Sequence, residues 1–155
     1  MAARTRAGGF IWRENSGLLE IILLRRVKAG RGEYYVIPGG SVEPGEPIKT
    51  AAARELLEET NVKFVLERQL YQSHNPASKR MAHYFLARWL DGEPSLHPNS
   101  PEMTEREDSS NQYCPEWVKL SAVSSLSLFP SVVRLRLARD VFEGHDAVIE
   151  LEETD

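Results

Sequence analysis

Three glutamates, Glu55, Glu58 and Glu59, end a segment that runs from Pro38 to Thr60 (PGGSVEPGEPIKTAAARELLEET) and otherwise reads as a core-facing helix. Steps of three and four residues nearly complete a helical turn, so Ile48, Ala51, Ala52, Glu55, Glu58 and Glu59 share one side. The stripe starts apolar and finishes acidic. Like charges at that spacing repel by about 0.2–0.5 kcal/mol per pair, and the helix macrodipole disfavours an anion in the last turn by roughly 0.3–1 kcal/mol. A charged face on an arbitrary helix is most often merely solvated. Here the apolar start, the acids at the unfavourable pole and the Gly39-Gly40 turn upstream argue for a hard divalent cation, which takes oxygen ligands and neutralises crowded carboxylates. A backbone carbonyl at Gly39 or Gly40 would complete such a site.

The spacing around the stripe resembles the Nudix signature: G, five residues, E, seven residues, R-E-aliphatic, one residue, E-E, one residue, G-aliphatic. It reads Gly40, SVEPG, Glu46, PIKTAAA, Arg54-Glu55-Leu56, Leu57, Glu58-Glu59, Thr60, Asn61-Val62. The box covers 23 of the 155 residues and departs only at Asn61, where the family usually has glycine. Asparagine is the next best residue for a left-handed helix cap, so the local geometry is expected to survive.

The resemblance implies an α/β fold of the α+β kind, an α/β/α sandwich around a mixed β-sheet, and hydrolysis of a diphosphate linked to another moiety with Mg²⁺ or Mn²⁺. By motif position Glu58 and Glu59 are first-choice metal ligands, Glu55 is a ligand and candidate general base, and Gly40 offers its carbonyl. Arg54 would hold the neighbouring carboxylates, and Glu46 would support the loop or join the metal shell through water. A fourth acidic ligand often comes from the loop before the last strand, which here contains Glu105 and Glu107. The implied substrate is a small nucleoside phosphate, with conversion of a (d)NTP to a (d)NMP and pyrophosphate as the leading reading. ADP-ribose or another nucleoside-diphosphate compound is the alternative, and a nucleotide-sensing module that does not cleave is the rival of another class. Sensors commonly lose a box carboxylate, whereas this chain keeps all of them. Dimers are frequent in the family.

Other residues carry weaker signals. Arg25 and Arg26 follow a buried strand and are candidates to reach a substrate phosphate. Tyr35, Phe129 and Tyr113 are candidates to stack on a base, although such aromatics are more often core or rim. His74, His83, His97 and His145 show no metal-ligand spacing. Pro76, fourteen positions beyond Val62, falls short of the proline of ADP-ribose members, and Ser78, Lys79 and Arg80 fill the window where dinucleoside polyphosphate enzymes carry tyrosine. The FPSVV entrance to a second helix looks more like the nucleoside-triphosphate branch. Val133 offers no hydrogen bond to a base, so it gives no support for 8-oxoguanine selectivity.

The elements that must position these residues follow from pattern. Residues 6–12 and 18–25 read as a hairpin, and the second strand is apolar on both faces, the mark of a sheet covered on both sides. RRVKAGRGE reads as an exposed basic loop, Tyr34–Ile37 as a short strand, and Pro47 as the first residue of a helix ending near Asn61. Lys63–Tyr71 and Ala82–Leu90 read as strands around the loop SHNPASK. Asp91–Pro115 reads as a long irregular connection, Glu116–Lys119 as a strand and Pro130–Phe142 as one helix. The acidic end, from about residue 144, would add an edge strand around Ala147–Leu151 or fray.

At 155 residues, 41% hydrophobic and 27% charged, the chain fits one domain spanning residues 1–155. The longest apolar stretch, Leu18–Leu24, is short and interrupted by Glu20, and MAARTRAGG has no apolar h-region, so the expectation is a cytoplasmic protein with no membrane partner. Cys114 is the single cysteine, which excludes an internal disulfide. Residues 140–155 carry seven of the 23 acids and no Lys or Arg, leaving 16 acids against 19 bases elsewhere. That surplus is too small for a nucleic-acid surface. A P-loop is excluded because Glu46 stands at its lysine position, and no Gly-x-Ser-x-Gly marks a serine hydrolase.

Overall fold

The computed structural model describes residues 4–95, 111–144 and 147–155. Its strands are β1 (Thr5–Asn15), β2 (Leu18–Lys28), β3 (Gly32–Val36), β4 (Gly39–Ser41), β5 (Lys63–Asn75), β6 (Arg80–Asp91), β7 (Asn111–Lys119), β8 (Leu128–Phe129) and β9 (Ile149–Glu152). Three α-helices, α1 (Ile48–Thr60), α2 (Ser131–Arg134) and α3 (Leu137–Glu143), complete the described secondary structure together with a 3₁₀ turn over Leu120–Ser125.

All nine described strands join one mixed sheet in the order β8-β3-β2-β1-β6-β5-β9, with β4 on β1 and β7 on β2. β2 is paired along both edges: Glu20 and Ile21 face β1 and β7 at once, and Leu24–Lys28 face β3 and β7. Its apolar run is therefore buried from Ile21 to Leu24. Odd and even positions serve different cores, as a period of two requires. Ile22 packs with Ile11, Leu56 and Val62 under α1, while Ile21 and Leu23 join Phe10, Val133 and Leu137 under α2 and α3. Burying each of these side chains contributes about 1.5–3 kcal/mol. Helices thus cover both faces, giving the α/β/α arrangement of an α+β fold.

Several boundaries differ from the sequence reading. The basic stretch is not a loop, because Arg25–Lys28 continue β2 and pair with β3, leaving only a tight turn around Gly30 (φ 81°). Pro47 precedes α1 as its extended cap (φ −62°, ψ 146°), and Asn61 ends it left-handed at φ 54°, donating its N–H to Leu57 O. β7 begins at Asn111, inside the stretch read as irregular; Asn, Gln and Pro are poor strand formers, and nine registered positions on β2 override them. Pro115 is tolerated there because, among the described residues, β7 pairs with β2 alone.

The second helix is broken in two at Arg136 (φ −128°), whose guanidinium binds the buried Asp140 at 2.6 Å while Tyr71 Oη donates to the same carboxylate at 2.6 Å. These two charge-assisted contacts satisfy the buried acid. The acidic end does form an edge strand, β9, parallel to β5. No described helix is long and apolar enough to cross a membrane.

Candidate active site

The acidic stripe is folded inward. On α1, Ala51, Ala52, Glu55 and Glu59 are buried, Glu59 to 1% exposure, and Glu58 keeps a side-chain exposure of 33%. The last turn carries no basic residue to offset these anions. Counter-charge comes from Arg54 instead. Its Nε and Nη2 donate to the two oxygens of Glu46, each at 2.9 Å, and its Nη1 donates to Glu55 Oε1 at 2.8 Å. The same Nη1 lies 3.5 Å from Glu58, and Nη2 also donates to Ser41 O at 3.1 Å.

Arg54 therefore ties the loop before α1 to two carboxylates of the stripe. A bidentate fork of this kind fixes orientation as well as charge. The hydrogen bonds from Arg54, with a further one from the Glu43 N–H, hold the Glu46 carboxyl down at about 2. The guanidinium in turn is pushed above its usual range, chiefly by the bond to Glu46. Glu46 is thus a loop clamp in this arrangement, engaged by Arg54 and by its own loop backbone.

Gly40 packs directly on Glu55. A Cβ at Gly40 would stand 2.4 Å from the Glu55 carboxylate carbon, so only glycine lets that carboxylate lie against the β4 backbone. Glu59 meets β7, where Tyr113 Oη reaches its Oε1 at 3.4 Å. The guanidinium of Arg26 stands 4.7 Å above the Tyr113 ring. Arg26 pairs with Tyr113 across β2 and β7 and so shares its face, the one that looks toward α1.

Not all the residues singled out in the sequence meet here. Arg25 points to the opposite face, where it contacts Glu116 at 3.3 Å, Glu33 at 3.5 Å and Gln112 at 3.5 Å. Tyr35 joins it, donating to Glu116 at 2.9 Å; burial and that bond push its hydroxyl up to about 12. Phe129 is half-buried, with Tyr34 rather than Tyr35 edge-on to it at 6.2 Å. Glu105 and Glu107 lie outside the described residues. Tyr113, considered in the sequence only for stacking, is instead a neighbour of Glu59, and no local signal foretells that contact because β7 itself was not legible there.

The donor set fits a hard divalent cation. Glu55 and Glu59 are buried on one helix face, and the Gly40 backbone is pressed against Glu55, so carboxylate and carbonyl oxygens are the groups on offer. In this arrangement, however, no three acidic, histidine or cysteine side chains among the described residues converge into a ready cage. Arg54 and Tyr113 occupy oxygens that an ion would compete for.

A family model described as the NUDIX domain matches residues 2–134. The chain belongs to the Nudix family. Solved structures share the fold: a NUDIX hydrolase from Nitrosomonas europaea is 18% identical, with a TM-score of 0.74 over 100% of this chain and 81% of that one. A C. elegans Ap4A hydrolase is 21% identical, with a TM-score of 0.64 over 92% of this chain and 100% of that one. An ADP-ribose pyrophosphatase from Streptococcus suis is 18% identical, with a TM-score of 0.61 over 98% and 100%. Nudix membership makes the chain a pyrophosphohydrolase by class, in a family that generally uses divalent metals.

Proposed function

We propose that the chain acts as one domain, a Mg²⁺-dependent pyrophosphohydrolase that converts a nucleoside triphosphate to the monophosphate and pyrophosphate. The reading is carried by one observation: Arg54 binds Glu46, Glu55 and Glu58 together beside Gly40, whose missing side chain leaves room for the Glu55 carboxylate. Nothing about a solvated surface helix calls for that construction. Glu55, Glu58, Glu59 and the Gly40 carbonyl would hold the metal. When bound, the cation polarises a phosphoryl oxygen and lowers the pKa of water.

The chain's own residues do the rest. Arg54 keeps the carboxylates at fixed positions, so that little reorganisation is needed as charge develops on the phosphoryl oxygens. Glu55 is the candidate general base, since it lies between Arg54 and the β4 backbone with its orientation set by both. Arg26, on the α1 face beside Tyr113, is the candidate contact for a substrate phosphate; Arg25 is already engaged by acids on the other face.

The choice of a nucleoside triphosphate rests on the FPSVV entrance to α2, which resembles that branch of the family. The test is a substrate panel of (d)NTPs, oxidised dNTPs, ADP-ribose, dinucleoside polyphosphates and sugar nucleotides, with phosphate products resolved. Pyrophosphate release from a triphosphate, dependent on Mg²⁺, is the expected result. Binding of a nucleotide without turnover of any would refute the enzyme reading.

A further inference from the structure

The sheet face opposite α1 carries an apolar groove that has no part in the acidic stripe. It opens between α3 and the hairpin of β1 and β2, has a volume of about 310 Å³ and is lined by Trp12, Leu19, Glu67, Leu86, Val141 and Phe142. Leu86 belongs to the core under α2 and α3, and Trp12, Leu19 and Val141 pack against that core, so the floor is held in place. Phe142 stands at the rim. It is 66% exposed, a large apolar surface that the fold leaves facing water.

Glu67 is the charged residue of this lining. Trp12 Nε1–H donates to Glu67 Oε1 at 2.6 Å, which orients the carboxylate beside the groove. A neutral donor leaves the negative charge in place, and nothing in the fold cancels it. Among the described residues Glu67 forms no ion pair, although Arg68 follows it in the chain and Arg88 stands opposite Trp12 in the pairing of β1 with β6. The arginines nearest in α3 are engaged elsewhere, Arg136 at 2.6 Å and Arg139 at 3.7 Å from the Asp140 carboxylate. The second oxygen of Glu67 is open to solvent and to a ligand.

We propose that this groove binds an amphipathic organic cation, an alkylammonium whose chain lies against Leu19, Leu86 and Val141 and whose head sits by Glu67, Trp12 and Phe142. Each part of the lining selects for one part of that ligand. Apolar walls favour a hydrocarbon chain, which gains roughly fourfold in affinity per buried methylene. An aromatic ring attracts a cation over its face, tryptophan most strongly, and a quaternary ammonium needs no hydrogen-bond acceptor to be held this way. The uncompensated carboxylate adds attraction for the cation and repels any anion. A volume at the low end of the roughly 300–1,000 Å³ of small-molecule clefts suits a short chain. The sheet separates the groove from Glu55, Glu58 and Glu59, so the site is distinct from the hydrolytic one and does not rest on that reading.

The test is titration of the full chain with hexyltrimethylammonium, followed by calorimetry and by the Trp12 indole N–H resonance. Saturable binding at millimolar concentration or below, with that resonance shifting, is expected. Hexan-1-ol keeps the chain without the charge and tetramethylammonium keeps the charge without the chain; each should bind at least tenfold more weakly. Glu67→Gln, whose amide oxygen can still accept the Trp12 N–H, should weaken binding at least fivefold, and Phe142→Ala at least threefold. Absence of saturation overturns the proposal, as does hexan-1-ol binding equally well or an affinity unchanged by either substitution. If Glu67→Gln does not fold, as judged by its thermal melt, the comparison with hexan-1-ol and the exposed Phe142→Ala variant decide.

Discussion

Glu59→Gln is the substitution that most directly tests why the stripe is acidic. Glu59 is 1% exposed in the last turn of α1, one turn beyond Glu55, with no basic residue nearby in the helix end. Removing its charge relieves the macrodipole by roughly 0.3–1 kcal/mol and the repulsion from Glu55 by about 0.2–0.5 kcal/mol. Without metal the variant should therefore be more stable by about 0.5–1.5 kcal/mol, the sum of those terms. In a chain of this length that raises the melting temperature by about 1–6 °C. Magnesium reverses the order. At a hundred times its dissociation constant a ligand specific for the native state stabilises by about 2.7 kcal/mol, or about 5–11 °C in wild type, and the variant forfeits most of it. The assay is a pair of thermal melts, with chelator and with millimolar Mg²⁺. Equal metal shifts in the two proteins, or a variant less stable than wild type in chelator, would refute the idea that a cation justifies these acids.

Further outcomes follow from the same geometry. Arg54→Ala should cost about 1.5–3 kcal/mol by removing charge-assisted bonds. Glu46, held at about 2 in the wild type, should return toward its ordinary 4.5, as carboxyl NMR shifts would read. Because a depressed carboxyl pKa stabilises the fold above 4.5 and loses that contribution as pH falls toward 2, the wild-type advantage should shrink across that window in acid unfolding. Gly40→Ala should lower activity or metal affinity by about 10–100-fold, since a group that orients a ligand typically carries that weight; its added carbon would meet the Glu55 carboxylate at 2.4 Å, and turnover with Mn²⁺ titration measures the effect. Asn61→Ala should destabilise by about 1–2 kcal/mol in urea denaturation because φ is 54° there, whereas Asn61→Gly should be close to neutral.

The linear chain by itself determined the parts of the site that lie within one helical turn of each other. A period of 3.6 residues places Glu55, Glu58 and Glu59 on one side whatever the surroundings, and a left-handed cap at Asn61 is a local backbone preference. The hairpin of β1 and β2 and the two-sided burial of Ile21–Leu24 were legible for the same reason, being set by alternation within a few residues. Contacts between segments far apart in the chain were set by how the sheet assembled. That assembly put Tyr113 against Glu59, 54 residues away. It sent Arg25 and Arg26 to opposite faces by fixing the pairing of β2. β7 emerged from a stretch of weak strand formers because β2 had an open edge to satisfy. The acidic tail, whose composition alone suits solvent as well as a strand, was committed by the free edge of β5, and with it Glu153 was buried. Local periodicity is written in neighbouring residues, whereas the partner of a sheet edge is chosen by whichever distant segment satisfies its hydrogen bonds.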